Sequence, residues 1–306
     1  MNIVVIGAGG VGGYFGGKLA KAGFDVTFIA RGKHLKAIKE KGLQVKSVLG
    51  DFVVHTKATD NINEIKNPDL VILGVKSWQV LEVAKQLKSV ITPRTMVLPL
   101  QNGADNADIL LSVLPKENVL AGLSKIVSKV ESPGIINHFA FEPEIIFAEY
   151  NSEDTVRIKE VKAVFEKAGF KNTLSKDIQL DIWRKFLFIT MVSGIGAITR
   201  VIYKYLQQSD EIKEIIWKTG EEVVSVANAK GIPLKKQDIE NSMQAFINSI
   251  PNTTASMQRD MMEGKPSELE NFNGYIVNQG KLLGIETPTN AFIYYCLLPQ
   301  EMKARR

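Results

Sequence analysis

The sequence predicts an α/β fold: an N-terminal doubly wound sheet followed by an all-α C-terminal domain. Short apolar, β-branched runs at 2–6, 25–30, 70–75 and 96–100 alternate with helical patterns, the signature of βαβ units and a parallel sheet. From about Lys176 the strand signals nearly vanish and a 3.6-residue apolar period runs to the end. The 306 residues exceed one ordinary core, since a domain takes about 150 residues. A boundary near Asn172 divides the chain into 1–172 and 173–306.

Each element has its own signal. Residues 2–6 are short, apolar and followed by glycines, as expected for the buried centre of a parallel sheet. A helix over 11–22 ends at Gly23, and strand 25–30 completes a βαβ unit of about 30 residues. Residues 34–41 read as a helix capped by Gly42, and 43–56 as a hairpin turning at Gly50-Asp51. Strand 70–75 follows Pro68-Asp69, a helix spans 79–87, and strand 96–100 ends in Gln101-Asn102-Gly103. Strands near 119–123 and 145–148 are expected to complete the mostly parallel sheet. Helix 154–168 packs on it and stops at Gly169. The later helices are expected at 177–193, 210–230, 236–250, 254–263 and 268–283, with glycine and proline just past two of their ends.

Composition narrows the function classes. Hydrophobic residues make up 45% of the chain, a globular value. The longest apolar runs, such as 3–8 and 70–75, fall far short of the ~20 residues of a spanning helix, and no signal-peptide pattern opens the chain. Cys296 is the single cysteine, and His34, His55 and His138 are scattered, so neither a disulfide nor a metal cluster is expected. These features favour a cytoplasmic protein. The net charge of +5 suits anionic small molecules, but acidic residues interrupt the basic ones, so neither nucleic acid nor a membrane is an expected partner. The apolar run 292–295 fits either a core helix or a homodimer contact.

Gly7-Ala8-Gly9-Gly10-Val11-Gly12 fits G-x-G-x-x-G and lies between an apolar strand and a helix inside a βαβ unit. That context turns a weak pattern into a Rossmann-type dinucleotide site. Gly7 permits the tight turn, Gly9 lets the backbone approach a pyrophosphate, and Gly12 allows close helix–strand packing. The helix N-terminus offers free N–H groups and partial positive charge to the phosphates. The plain alternative is a tight glycine turn that binds nothing.

The end of the second strand selects the nucleotide. A carboxylate there bonds the ribose 2′-hydroxyl of NAD, whereas this chain has Ala30-Arg31-Gly32-Lys33. Arg31 can pair with a 2′-phosphate, and Lys33 and Lys76 add charge, so NADP (as NADPH) is the expected cofactor. Arg31 as a merely solvated loop cation is the competing reading.

Further motifs give the whole chain a resemblance. The first 38 residues, Gly74-Val75-Lys76-Ser77-Trp78, Gln101-Asn102-Gly103 and Trp183-Arg184-Lys185 occur in the order found in the ketopantoate reductase (2-dehydropantoate 2-reductase) family. So do Ser256-Met257-Gln258-Arg259-Asp260, Ser267-Glu268-Leu269-Glu270 and Asn273-Gly274. The resemblance implies reduction of a 2-oxo acid with NADPH, ketopantoate becoming pantoate in pantothenate biosynthesis. It implies Lys185 as general acid, Asn102 between cofactor and substrate, and Ser256 on the substrate. Glu268 would meet the cofactor ribose and the substrate side, Lys76 and Arg31 the NADP end, and Ser128 the nicotinamide. The site is expected in a cleft between the two domains.

The residue chemistry agrees. Hydride delivery to a carbonyl builds negative charge on oxygen, which a nearby ammonium stabilises and protonates. Lys185 stands on a largely apolar helical stretch, where desolvation lowers a lysine pKa. A lysine snorkelling from that face, or pairing with Asp181, is the bland alternative. Glu268 equally fits a solvated charge at a helix start, Ser256 an exposed polar residue, and Asn102-Gly103 a simple turn. Trp78 and Trp183 are expected to be packing anchors.

The pattern departs from the family where asparagines usually follow the lysine by one and two turns. Here those positions hold Ile189 and Ser193, and a further asparagine position falls near Tyr203. Isoleucine cannot hydrogen-bond, so a different branched 2-oxo acid is a second reading. A non-catalytic NADP-binding regulatory protein is a third. Ser193 remains a candidate substrate contact.

Overall fold

The computed structural model describes residues 1–306, which divide into two units, Met1–Ile178 and Gln179–Arg306. Asn172, the boundary expected from the sequence, falls inside a strand of the first unit.

In the first unit, β1 (Asn2–Ile6), α1 (Gly10–Lys21) and β2 (Asp25–Ile29) form the expected βαβ unit. They are followed by α2 (Gly32–Lys41), β3 (Leu43–Ser47), β4 (Phe52–Val54), β5 (Lys57–Thr59), β6 (Leu70–Leu73), α3 (Val80–Leu87), β7 (Met96–Pro99) and α4 (Asn106–Leu111). The first sheet has the order β5-β2-β1-β6-β7 and is parallel throughout. The chain winds outward from β1 on one side and then crosses to β6 on the other, so the topological switch lies between β1 and β6. Strand β5 and helix α4 were not expected, being too short to carry a periodic signal.

The remainder of this unit corrects the expectation that later strands complete the first sheet. Residues near 119–123 and 145–148 belong to β8 (Leu120–Ser132) and β9 (Ile135–Glu149), an antiparallel hairpin turning at Pro133-Gly134. They join a second sheet, β10-β9-β3-β4, with β8 on β9, and β3-β4 is the predicted hairpin. Val119, beside β8, makes an isolated parallel bridge to Val97 of β7, and β9 runs parallel to β3. The sequence hides this hairpin because its half-exposed outer halves mix apolar with charged and hydroxyl side chains, leaving only the inner apolar ends to read as strands. α5 (Val156–Lys167) follows, and β10 (Lys171–Leu174) pairs parallel with the end of β9.

The glycines of α1 explain why two sheets approach one helix. A Cβ on Gly16 would strike Phe28 and Val5 of the first sheet, while one on Gly13 would strike Ile136 of the second. Gly12 and Gly16 therefore face β1 and β2, and Gly10, Gly13 and Gly17 face β3, β4, β8 and β9. The core closes around Phe15, Phe28, Phe147, Phe165 and Phe170, with Phe15 and Phe170 edge to face at 5.0 Å.

The second unit is helical: α6 (Ile178–Thr199), α7 (Tyr203–Gln208), α8 (Asp210–Ala229), α9 (Lys236–Ile247), α10 (Ser256–Met262), α11 (Asn273–Leu283) and α12 (Pro288–Ala304). α6 runs one and a half turns past the expected end at 193, and the expected helix at 268 begins only at Asn273. By length and composition α6 could cross a membrane, but 67% of its most apolar stretch is buried inside the protein. It is the core helix of this unit. Met191 lies against Gly220 of α8, Gly194 against Asn273 and Ile293, and Gly196 against Gln258. Trp183 is buried edge to face with Phe186, as expected of an anchor, whereas Trp78 is 38% exposed. In α12, Ile293 and Tyr294 are buried while Phe292 and Tyr295 are exposed.

Candidate active site

The glycine loop, Arg31, Lys76 and Asn102 lie just past the carboxyl ends of β1, β2, β6 and β7 of the first sheet. Gly7 follows β1 with φ +94°, a left-handed backbone that its N–H to Ile29 carbonyl bond (3.0 Å) locks. A Cβ there would lie 2.8 Å from the Gly74 carbonyl carbon after β6, and one on Gly12 would run into the Gly7 carbonyl oxygen. The loop is thus closed on itself and on β6.

Gly9 differs. Its φ of −73° suits any residue, and a Cβ there would meet only the Gly74 oxygen, at 3.9 Å. The protein does not need a glycine at this position, so the small residue fits close approach by a ligand. Gly9 is also the N-cap of α1 and gives it no side-chain cap, leaving the first-turn N–H groups for an anion. Both observations fit a dinucleotide diphosphate.

Arg31 stands at the end of β2 as the N-cap of α2, exposed, with Lys33 exposed beside it. Lys76 follows β6, half-buried. The neighbouring Ser77 hydroxyl donates to the carbonyl of Asn102, and Asn106 Nδ2 donates to the same oxygen at 3.2 Å. These bonds tie the Lys76 loop to the Asn102 loop after β7. Ser128, expected at the nicotinamide, lies on β8 against the loop itself. A Cβ on Gly10 would be 2.7 Å from its carbonyl oxygen and 2.9 Å from its hydroxyl.

The second unit carries the rest. Lys185 and Ile189 are half-buried on α6, and Ser193, one further turn along, is buried. Beside Lys185, Arg184 Nε donates to Asp238 Oδ1 at 2.8 Å, and Asp238 Oδ2 accepts the Lys235 N–H, fastening α6 to the start of α9. Ser256 opens α10. Gln258 Nε2, two residues on, donates to the Val201 carbonyl at 2.7 Å while its Oε1 faces Gly196 of α6. Tyr203, near an expected asparagine position, is buried. Its N–H bonds the Thr253 carbonyl just before Ser256, and burial pushes its hydroxyl up to about 12, against the pull of Arg259. It is a neutral packing group.

Glu268 is buried in the turn before α11 rather than on its first turn. Ser267 beside it is pinned by Glu301, whose carboxylate accepts the Ser267 N–H at 3.1 Å and its hydroxyl at 2.6 Å. Arg305 closes this knot, pairing with Glu301 at 2.6 Å and donating to the Ser267 carbonyl at 3.0 Å. Sequence reasoning missed Ser77, Glu301 and His34, because each works through contacts far along the chain with no periodic signature.

A parallel sheet with a glycine loop at its switch point, followed by a helical unit, defines an NAD(P)-dependent oxidoreductase. The family model for ketopantoate reductase PanE/ApbA matches residues 3–152, and that for ketopantoate reductase PanE/ApbA C terminal matches residues 177–301. A 2-dehydropantoate 2-reductase of Pyrococcus abyssi is 31% identical over 294 residues, spanning 96% of each chain. The crystal structure of a PanE/ApbA family ketopantoate reductase from Ralstonia eutropha superposes with a TM-score of 0.92 at 30% identity, covering 100% of both chains. A D-mandelate dehydrogenase complex with NADH gives a TM-score of 0.88 at 25% identity, covering 99% of each. This chain belongs to the ketopantoate reductase family.

Proposed function

We propose that the protein reduces 2-dehydropantoate to pantoate with NADPH, serving pantothenate biosynthesis. The observation that carries the cofactor half is Gly9, a glycine that neither backbone strain nor packing requires. Arg31 at the end of β2, with no carboxylate in Ala30-Arg31-Gly32-Lys33, supports NADPH over NADH. When bound, the dinucleotide supplies a hydride. Lys185 holds a proton for the oxygen on which charge builds, and its ammonium stabilises that charge. Ser256 and Ser193 serve the substrate, Asn102 both ligands, and Glu268 the ribose. Gly7, Ala8, Gly9, Gly10, Val11 and Gly12 take the diphosphate, with Ser128, Lys76 and Arg31 on the cofactor. The likeness to 2-dehydropantoate 2-reductases over nearly the whole chain supports the substrate.

A second reading, a reductase of another branched 2-oxo acid, rests on Ile189, which offers no hydrogen bond where the family pattern has an asparagine. A panel of 2-oxo acids with NADPH and NADH tests both. The first reading predicts the highest kcat/KM for ketopantoate with NADPH. A higher value for another acid establishes the second, and a preference for NADH overturns the role given to Arg31.

A further inference from the structure

One side chain bridges the glycine loop to an element distant in sequence. His34, on the first turn of α2 and half-buried, accepts the Gly134 N–H on Nδ1 at 2.9 Å. A backbone N–H can only donate, so Nδ1 carries a lone pair and the neutral ring carries its proton on Nε2. Nε2 lies 2.8 Å from the Ala8 carbonyl oxygen, which only accepts, so both bonds are satisfied by one tautomer.

The Ala8 carbonyl belongs to the peptide that joins Ala8 to Gly9. No peptide bond in the chain is cis, and in a trans peptide the C=O and the following N–H point in opposite directions. A bond that holds the Ala8 C=O toward His34 therefore aims the Gly9 N–H away from it. Gly134 is itself fixed. Its φ of +80° closes the β8–β9 turn, its carbonyl accepts the Gln44 N–H at 2.9 Å, and a Cβ on it would meet Ala37 of α2 at 2.8 Å. The same hairpin presses Ser128 on Gly10. The second sheet thus grips the loop at two places, directly at Gly10 and through His34 at Ala8.

We infer that His34 is a positioning residue for the cofactor diphosphate: by holding the Ala8 carbonyl it orients the Gly9 N–H as a phosphate donor. This rests on the reading that the glycine loop takes the diphosphate. The side chain touches no reacting atom, so it acts on cofactor affinity and leaves the chemical step alone.

The test is titration of the full-length protein with NADPH, and with adenosine 2′-monophosphate, which lacks the diphosphate. His34→Leu, which can make neither bond, should raise the Kd for NADPH by about tenfold, the worth of one oriented hydrogen bond. Its Kd for adenosine 2′-monophosphate should stay within about twofold, and kcat at saturating NADPH should hold. His34→Gln, whose amide reaches the Nε2 position and donates to Ala8, should restore most of the affinity, whereas the shorter His34→Asn should behave like the leucine variant. Equal loss for both ligands, or equal loss in the glutamine and leucine variants, overturns the inference and marks His34 as structural, as does unchanged NADPH affinity in His34→Leu. If the leucine variant does not fold, the glutamine and asparagine pair decides. Wild-type protein that binds no NADPH would instead sink the reading of the loop.

Discussion

Gly10 and Ser128 meet backbone to backbone: a Cβ on Gly10 would lie 2.7 Å from the Ser128 carbonyl oxygen. Two residues far apart in sequence thus fix the start of α1 against the second sheet. Gly9, one residue earlier, has no such neighbour. Gly10→Ala should therefore cost stability, about 1–3 kcal/mol, as overpacking against backbone does. Gly9→Ala should melt within a degree or two of wild type yet lose most NADPH affinity. Thermal melts with and without cofactor separate the two. Equal destabilisation of both would show that packing, not a ligand, selects Gly9.

Arg31 is exposed and free of any carboxylate neighbour on its own loop, so its loss should not disturb the fold. Arg31→Ala should weaken NADPH by about tenfold to a hundredfold, the worth of a charge-assisted bond, and leave NADH nearly unchanged. Arg31→Asp should reverse the preference. The ratio of kcat/KM values for the two cofactors reads the outcome.

Glu301 holds the segment that carries Glu268. Its carboxylate is buried and accepts from Ser267 and Arg305. Glu301→Ala would strand the Ser267 N–H and hydroxyl and remove the carboxylate that Arg305 pairs with, costing about 3 kcal/mol, as breaking a buried pair does. The melting temperature should fall by about 10 °C. The KM should rise through the displaced Glu268 turn. Restored stability with Glu301→Gln would show that hydrogen bonding, rather than charge, holds the knot.

Acid should unfasten the end of β9. Burial pushes the Glu149 carboxyl up, but the Arg157 guanidinium and the Thr155 hydroxyl bonded to it prevail and hold it below the usual carboxylate range. A carboxyl depressed in the folded state stabilises the fold above its unfolded pKa of about 4.3 and loses that contribution as pH falls through the folded value. Wild-type melting temperature should drop steeply below about pH 4, and the drop should be shallower in Glu149→Gln, which starts lower at pH 7. Parallel curves for the two proteins would remove Glu149 from the acid response.

The parallel sheet was legible because β1, β6 and β7 are buried on both faces and carry unbroken apolar runs. The β8–β9 hairpin was not, since one end of it faces solvent and alternates weakly, and β10 is a polar edge strand of four residues. In the site, Gly7, Gly9 and Gly12 could be read from spacing alone, because a turn, a close approach and a helix–strand contact each demand a fixed offset. Ser128, His34 and Glu301 could not, because their partners are Gly10, Ala8 with Gly134, and Ser267, which no local pattern connects. The retained Lys185 and the lost asparagine at Ile189 were visible from motif order, and the structure adds that α6, which bears both, is the core of its unit.

In the proposed reaction Lys185 protonates the oxygen of the 2-oxo acid as the hydride arrives. Single-turnover reduction of ketopantoate by NADPH, followed at 340 nm in wild type and Lys185→Ala, tests it most directly. Wild-type protein should turn over, the rate of the variant should fall by about 10²–10⁴, and its NADPH affinity should stay within about twofold of wild type. A variant that reduces ketopantoate at the wild-type rate would contradict it.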